Sequence, residues 1–324
     1  MKLGVLTALY ADRPLEAVLD TVKAAGLDCV EIGAGNYPGS AHIDVAGLLA
    51  SAARRKEYLS AFRSRGLEIS ALSCHGNPLH PRADVARASH ITYRRTVELA
   101  EKLGVSVVNL FSGCPGDSER SRFPNWVTCA WPTDFQDVLK WQWEKKVIPY
   151  WKREAAFAAR HHVNLGFEMH PGFVVYNPAT LLRLREACGD SVGANFDPSH
   201  LFWQGIDIET AIGELGRAGA LHHVHAKDTA INAANTARNG VLDTTPLDQV
   251  ARRSWVFRTV GYGHGEEEWK RIVTALRIAG YEGVLSIEHE DALLSIDEGF
   301  RKCVAFLRQV MPSEPPLTNA WWTK

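Results

Sequence analysis

The stretch NLGFEMHPG, residues 164–172, sets an apolar run directly before a carboxylate and an imidazole. Glu168 falls where a buried strand would end, and His170 follows two positions later. Three further segments have the same form: GANFDPSH at 193–200, LHHVHAKD at 221–228 and GVLSIEHED at 283–291. Each is a run of apolar or small residues that closes in Asp, Glu or His. Runs that are apolar on both faces and bounded by Gly or polar residues belong to strands buried in a parallel sheet.

Working outward, the same kind of segment occurs at 2–9, 27–35, 67–76 and 105–113, so that eight strand patterns (the last four at 163–171, 191–200, 220–228 and 283–291) run from end to end. Helical patterns separate them. PLEAVLDTVKAAG (14–26) has Pro14 at the start and Gly26 just past the end, the positions where each residue suits a helix terminus. RRKEYLSAFRSRG (54–66) and ITYRRTVELAEKLG (91–104) also finish at Gly, with apolar residues three and four apart. Residues 134–161 read as one long helix that Pro149 should kink or split. Eight β–α alternations without a break in composition predict a single (β/α)8 barrel over 1–311, followed by a tail, 312–324, that packs on the barrel or a neighbouring subunit. An open doubly wound sheet is the alternative. No G-x-G-x-x-G follows the first strand and no Walker loop is present, which disfavours that sheet and any nucleotide cofactor. Two long connections interrupt the pattern, 114–133 after the fourth strand and 229–265 after the seventh. Loops of that length usually cover a site or meet a partner.

The 324 residues are 46% hydrophobic and 23% charged, with a formal net charge of −1. Such a balance gives no broad basic surface for nucleic acid or an acidic membrane. The first residues, MKLGVLTALYADRP, carry charge too early for the apolar core of a signal peptide, and no apolar run approaches the ~20 residues that span a bilayer. The six cysteines are scattered with no C-x-x-C pair, which reads as reduced thiols in a cytoplasmic protein.

In a parallel barrel every strand ends on one rim, so residues distant in sequence converge there. Glu168, Asp197, His225 and Glu288 would end the fifth to eighth strands, which are consecutive around the ring. Three crowded carboxylates repel one another unless a cation neutralises them. One imidazole with three carboxylates is an oxygen-rich set suited to Mn²⁺, with Mg²⁺ or Co²⁺ as alternatives, more than to structural zinc. A lone strand-end carboxylate is usually a helix cap or a rim ion pair; three with an imidazole, on four successive strands, point to a metal site. The other strand ends offer His75, His80, Asn109, His170, Lys227, His264 and His289 as groups for substrate contact or rim hydrogen bonding. His75 is the best placed of them, because it ends the third strand. Trp126 and Trp131, in the loop FPNWVTCAWP (123–132), would cover the metal site or meet another chain.

Glu168 after its apolar strand, DPSH (197–200), HAKD (225–228), GYGHG (261–265) and SIEHED (286–291), taken in order, resemble the sugar isomerase/epimerase superfamily. That superfamily has xylose isomerase-like barrels and includes ketose 3-epimerases and, more distantly, endonuclease IV. The resemblance covers roughly residues 1–310. It implies metal ligands at Glu168, Asp197, His225 and Glu288, with His225 preferred to His223 by the family's H-x-(K/N)-D pattern, and substrate contact at His200. It also implies that Glu168 and Glu288 act as base and acid at a carbon beside a keto group, through an enediolate. The expected substrate is a small keto-sugar or glycoside, and the expected assembly a homo-oligomer, with a small second subunit as a further option.

Two other outcomes of the same resemblance are a lyase and a nuclease. Relatives that serve as the catalytic subunit of C-glycoside deglycosidases remove an aglycone from a 3-keto-sugar by the same enolisation. An endonuclease IV-like enzyme would need a His at the end of the fourth strand, where Asn109 stands, and an Asp two residues before the His of GYGHG. A metal-binding protein without catalysis is a fourth reading. The ketose 3-epimerases carry an Arg soon after the ligand His, whereas here none occurs until Arg238, which argues against a free ketohexose. No Gly-rich phosphate cradle is visible, which argues against a phosphorylated one.

Overall fold

The computed structural model describes residues 1–314, so most of the expected tail (315–324) lies outside the described residues. Eight parallel strands close into a barrel. They are β1 (Lys2–Leu6), β2 (Cys29–Gly33), β3 (Glu68–Ser73), β4 (Val107–Leu110), β5 (Asn164–Glu168), β6 (Val192–Phe196), β7 (Leu221–Ala226) and, last in the chain, β10 (Val284–Ile287). Their order around the ring is β1-β10-β7-β6-β5-β4-β3-β2, and helices fill the connections. The chain is a (β/α)8 barrel. Most strand positions are buried, which is why most of their residues are apolar or small; Glu31, Asn109, Glu168, Asn195, His223 and His225 are buried polar exceptions.

The helix boundaries follow local chemistry. Helix Leu15–Ala24 begins directly after Pro14, whose fixed φ suits that place, and Gly26 leaves it at φ +68. Helix Ala83–Leu103 ends at Gly104 in the left-handed region. From Asp134 to Arg160 the chain stays helical, through a π-helical stretch at Gln142–Val147. The run is divided where Pro149 predicts: the π-helical stretch ends at Val147 and a new α-segment starts at Ile148, with Pro149 in its first turn.

Of the two long connections, 114–133 contains no helix or strand apart from the turn leading into the helix at 134. The second is more ordered than a loop. It holds an antiparallel pair, β8 (Asp228–Ile231) and β9 (Trp255–Arg258), with Asp228 opposite Arg258, and a short helix, Ala233–Asn239. Among the described residues, no helix is long and apolar enough to cross a membrane.

Candidate metal centre

Strand register carries four chemistry-bearing residues to one rim. Glu168 is the last residue of β5 and pairs with Asn195 of β6, so Asp197 emerges one residue beyond β6. His225 is the penultimate residue of β7 and pairs with Ser286 of β10, so Glu288 emerges one residue beyond β10. One ligand atom from each of Glu168, Asp197, His225 and Glu288 lies within 4.8 Å of all the others. His225 Nδ1 is 3.4 Å from Glu168 Oε2 and 3.2 Å from Glu288 Oε2.

Burial pushes each of these carboxyls up, yet neighbouring cations outweigh it. His75, His200 and His225 hold Glu168 well below the usual carboxylate range. Lys227 and His200 bring Asp197 down to about 2, and Lys227 and His225 lower Glu288. All three are therefore held in the anionic form at neutral pH and could serve as ligands. Asp197 Oδ2 is nonetheless a buried oxygen without a hydrogen bond: His200 Nε2 at 3.3 Å and Lys227 Nζ at 3.5 Å face it without hydrogen-bonding geometry. An unbonded, buried carboxylate oxygen among two other carboxylates and an imidazole suits a hard dication.

Beneath this group lies a carboxylate that strand-end reasoning misses. Glu31, in the middle of β2, is fully buried. Its oxygens accept from Ser73 Oγ, from Asn109 Nδ2 at 2.9 Å and from Ser286 Oγ at 2.7 Å, and lie 3.0 and 3.1 Å from His225 Nε2. Burial raises the Glu31 carboxyl, but His225 and His223 keep it well below its ordinary range. With Nε2 held by Glu31, His225 presents Nδ1 to the rim carboxylates. This is the carboxylate–histidine arrangement that orients metal-bound imidazoles. A charged residue inside the apolar strand CVEIG was the available signal. His223, by contrast, spends its ring nitrogens on Asn195, Asn109 and Ser70.

The remaining predicted residues divide by position. His75 Nε2 lies 3.0 Å from Glu168 Oε2, and His200 Nε2 lies 3.1 Å from Glu168 Oε1. Buried Lys227 reaches Glu288 at 3.0 Å and Glu290 at 2.7 Å. His170 packs on His200 with ring centroids 4.1 Å apart, and burial next to His200 lowers its pKa to about 3. These four ring the centre. Asn109 lies below it, bonded to Glu31, and not in the cavity above. His264 is turned away: its Nδ1 is 2.8 Å from Asp228 Oδ1 and its ring stacks on Phe202. His80 is likewise remote, its Nδ1 accepting from the Arg82 N–H. Trp131 is 79% exposed and lines none of the cavities described, whereas half-buried Trp126 lines a chamber beside the centre. The loop therefore brings one tryptophan beside the site and none into the cavity over the carboxylates; Trp126 packs edge-on against Tyr176.

Above the rim carboxylates is a cavity of about 620 Å³, lined by His75, Phe111, Glu168, His170, Lys227, Glu288 and His289, with Tyr37 and Leu9 also in its wall. Its volume fits a small polar molecule.

A family model described as xylose isomerase-like TIM barrel matches residues 19–310. An uncharacterized protein, YfiH, of Bacillus subtilis is 38% identical over 314 residues, covering 96% of this chain and 99% of that protein. The rhizopine catabolism protein MocC of Rhizobium meliloti is 29% identical over 152 residues, 46% of this chain and 43% of that protein. Among solved structures, the 3-keto-D-glucoside 4-epimerase YcjR of E. coli superposes with a TM-score of 0.65 at 16% identity, over 95% of this chain and 99% of that one. A D-psicose 3-epimerase solved in the presence of D-fructose superposes at 0.61 and 16% identity, over 96% and 99%. The chain belongs to the xylose isomerase-like TIM barrel family.

Proposed function

We propose that this protein is a divalent-metal-dependent sugar isomerase or epimerase that moves a proton at the carbon next to a keto group. The observation that carries this reading is the four-residue ligand set, converging from consecutive strand ends with Asp197 Oδ2 unbonded. Glu168, Asp197, His225 and Glu288 would hold the ion, Mn²⁺ in first place and Mg²⁺ or Co²⁺ as alternatives. When bound, a dication supplies a Lewis acid that polarises a carbonyl oxygen and its neighbouring hydroxyl.

The rest of the chemistry belongs to side chains of this chain. Glu168 and Glu288 are both ionised and both face the cavity, so either can take a proton from a sugar carbon and the other return one. His75 and His200, each beside a Glu168 oxygen, fix the direction of that carboxylate. Lys227 beside Glu288 does the same on the other side and offers a cation to a developing oxyanion. Phe111 and Phe173, stacked at 4.2 Å, exclude water from the His170 side. The names of YcjR and of the psicose epimerase support a sugar substrate.

The test is deuterium exchange. Protein loaded with Mn²⁺ should exchange a C–H proton of a keto-sugar, drawn from free ketoses and 3-keto-glycosides, in D₂O. Exhaustive chelation should abolish the exchange and Mn²⁺ should restore it. Full exchange by protein verified to be metal-free would refute the reading.

A further inference from the structure

Lys227 puts a buried ammonium among three carboxylates. Its Nζ lies 3.5 Å from Asp197 Oδ2, 3.0 Å from Glu288 Oε2 and 2.7 Å from Glu290 Oε2. Two of those oxygens are also the ones best placed for a cation. Asp197 spends Oδ1 on the Ser199 N–H at 2.8 Å, which leaves Oδ2 as its free oxygen. Glu288 Oε2 lies 3.2 Å from His225 Nδ1, the ring atom that faces the rim. Lys227 and a dication in this ligand set therefore compete for the same two oxygens, and positive charges so close repel.

The third partner differs. Glu290 stands two residues beyond Glu288, outside the ligand set, with its side chain 49% exposed. It lines both the cavity over the carboxylates and the aromatic chamber beside it, of about 580 Å³, whose wall includes Trp126, Trp203, Trp255 and Phe257. Lys227 Nζ lies 4.3 Å from the centre of the Phe257 ring, so Glu290 and that ring give the ammonium partners away from the ligands. An exposed rim ion pair usually contributes little by itself. Here one member is buried, and a buried ammonium stripped of every carboxylate is costly.

We infer that Glu290 is a positioning residue for the metal centre: it holds Lys227 at the cavity wall, so that Asp197 and Glu288 are free to take a dication. It acts through Lys227 and not on the ion. The same placement keeps the ammonium beside the cavity, where the proposed reaction uses a cation for a developing oxyanion. The inference rests on the proposed ligand set and names the residue outside it that makes the set usable. Glu290→Gln keeps the shape of the side chain and removes its charge. Lys227 is then left with Asp197 and Glu288 as its close carboxylate partners, and holds them against the ion.

Mn²⁺ titrations of the full chain, read by calorimetry, test this in wild type, Glu290→Gln, Glu290→Asp, Lys227→Met and the double variant Lys227→Met with Glu290→Gln. Binding should be about tenfold weaker in Glu290→Gln, and Glu290→Asp, which keeps the carboxylate, should recover most of that loss. In the Lys227→Met background, Glu290→Gln should change affinity by less than about twofold, because the competitor is gone. Equal Mn²⁺ affinity in wild type and Glu290→Gln overturns the inference. A tenfold loss that persists with Lys227→Met also overturns it, because Glu290 would then act on the ion directly through its charge. The aspartate arm decides the matter even if Lys227→Met fails to fold: a loss in Glu290→Asp as large as in Glu290→Gln contradicts the inference. Wild-type protein that binds no Mn²⁺ refutes the ligand set, and the inference with it, whereas a wild type that binds the ion regardless of residue 290 refutes the inference alone.

Discussion

Two layers of buried carboxylate occupy the barrel interior, and they differ in how their charge is satisfied. In the lower layer Glu31 is closed: serine, asparagine and histidine donors take up both of its oxygens. In the upper layer Glu168, Asp197 and Glu288 share a handful of histidines and one lysine, and Asp197 keeps a buried oxygen without a bond. Both layers contain a cluster of acidic and histidine atoms close enough to grip an ion. Proximity alone does not separate them. A carboxylate already saturated by hydrogen bonds gains little from a cation, whereas one that is not stands to gain much. On the proposed function, the lower layer positions and the upper layer binds.

The largest effect expected from that distinction is on chemistry. Glu168→Gln and Glu288→Gln should each lower sugar proton exchange by about a hundredfold or more while the barrel stays folded. Metal content has to be measured in the same samples; a variant that keeps its metal and exchanges at the wild-type rate removes that residue from the acid–base role. Next comes stability. Glu31→Ala strands the Ser73, Asn109, Ser286 and His225 donors and should destabilise the fold by about 3–5 kcal/mol in denaturant titrations. Glu31→Gln, which keeps the shape but loses the charge behind His225, should instead weaken metal binding by about 10- to 100-fold with modest loss of stability. Equal metal affinity in Glu31→Gln and wild type would erase the distinction between the layers.

The sequence showed the upper layer and hid the lower. Each upper residue closes an apolar run, so Glu168, Asp197, His225 and Glu288 stood out at the rim once a parallel barrel was inferred. Glu31 interrupts an apolar run, in CVEIG, and only the barrel's closure brings β2 across to His225 of β7. The β8–β9 hairpin escaped for a related reason: DTAI and WVFR are short and far apart in sequence, and pairing between them is a tertiary fact. His264 looked like a rim group because it follows a turn, but Asp228 accepts from the N–H groups of Gly261, Gly263 and His264 and takes the imidazole too. Gly263 is required there, since a Cβ would meet the Thr229 carbonyl.

Smaller effects sharpen the picture outside the layers. Trp126→Ala should raise KM because Trp126 lines the aromatic chamber, while Trp131→Ala, at a 79% exposed position, should leave kinetics unchanged and stability within about 0.5 kcal/mol. Sedimentation of both variants separates a change in assembly from a change in the site. The smallest effect concerns the chamber's outer wall. Asp243 is lowered from 3.8 to about 2 by the N–H of Ser254 and by Thr245. A depressed carboxyl contributes its stability above the unfolded value and loses it as pH falls through the folded one. The 241–254 segment should therefore loosen between about pH 4 and pH 2, read by Trp255 fluorescence, and Asp243→Asn should lack that step.

The most direct measurement of the central claim is anomalous diffraction at the manganese edge from crystals of the Mn²⁺-loaded protein. The account predicts one strong peak within bonding distance of Glu168, Asp197, Glu288 and His225 Nδ1, with Glu31 bonded to Nε2 of the same ring. A peak between Glu31 and His223, or no peak in the barrel at all, would contradict it.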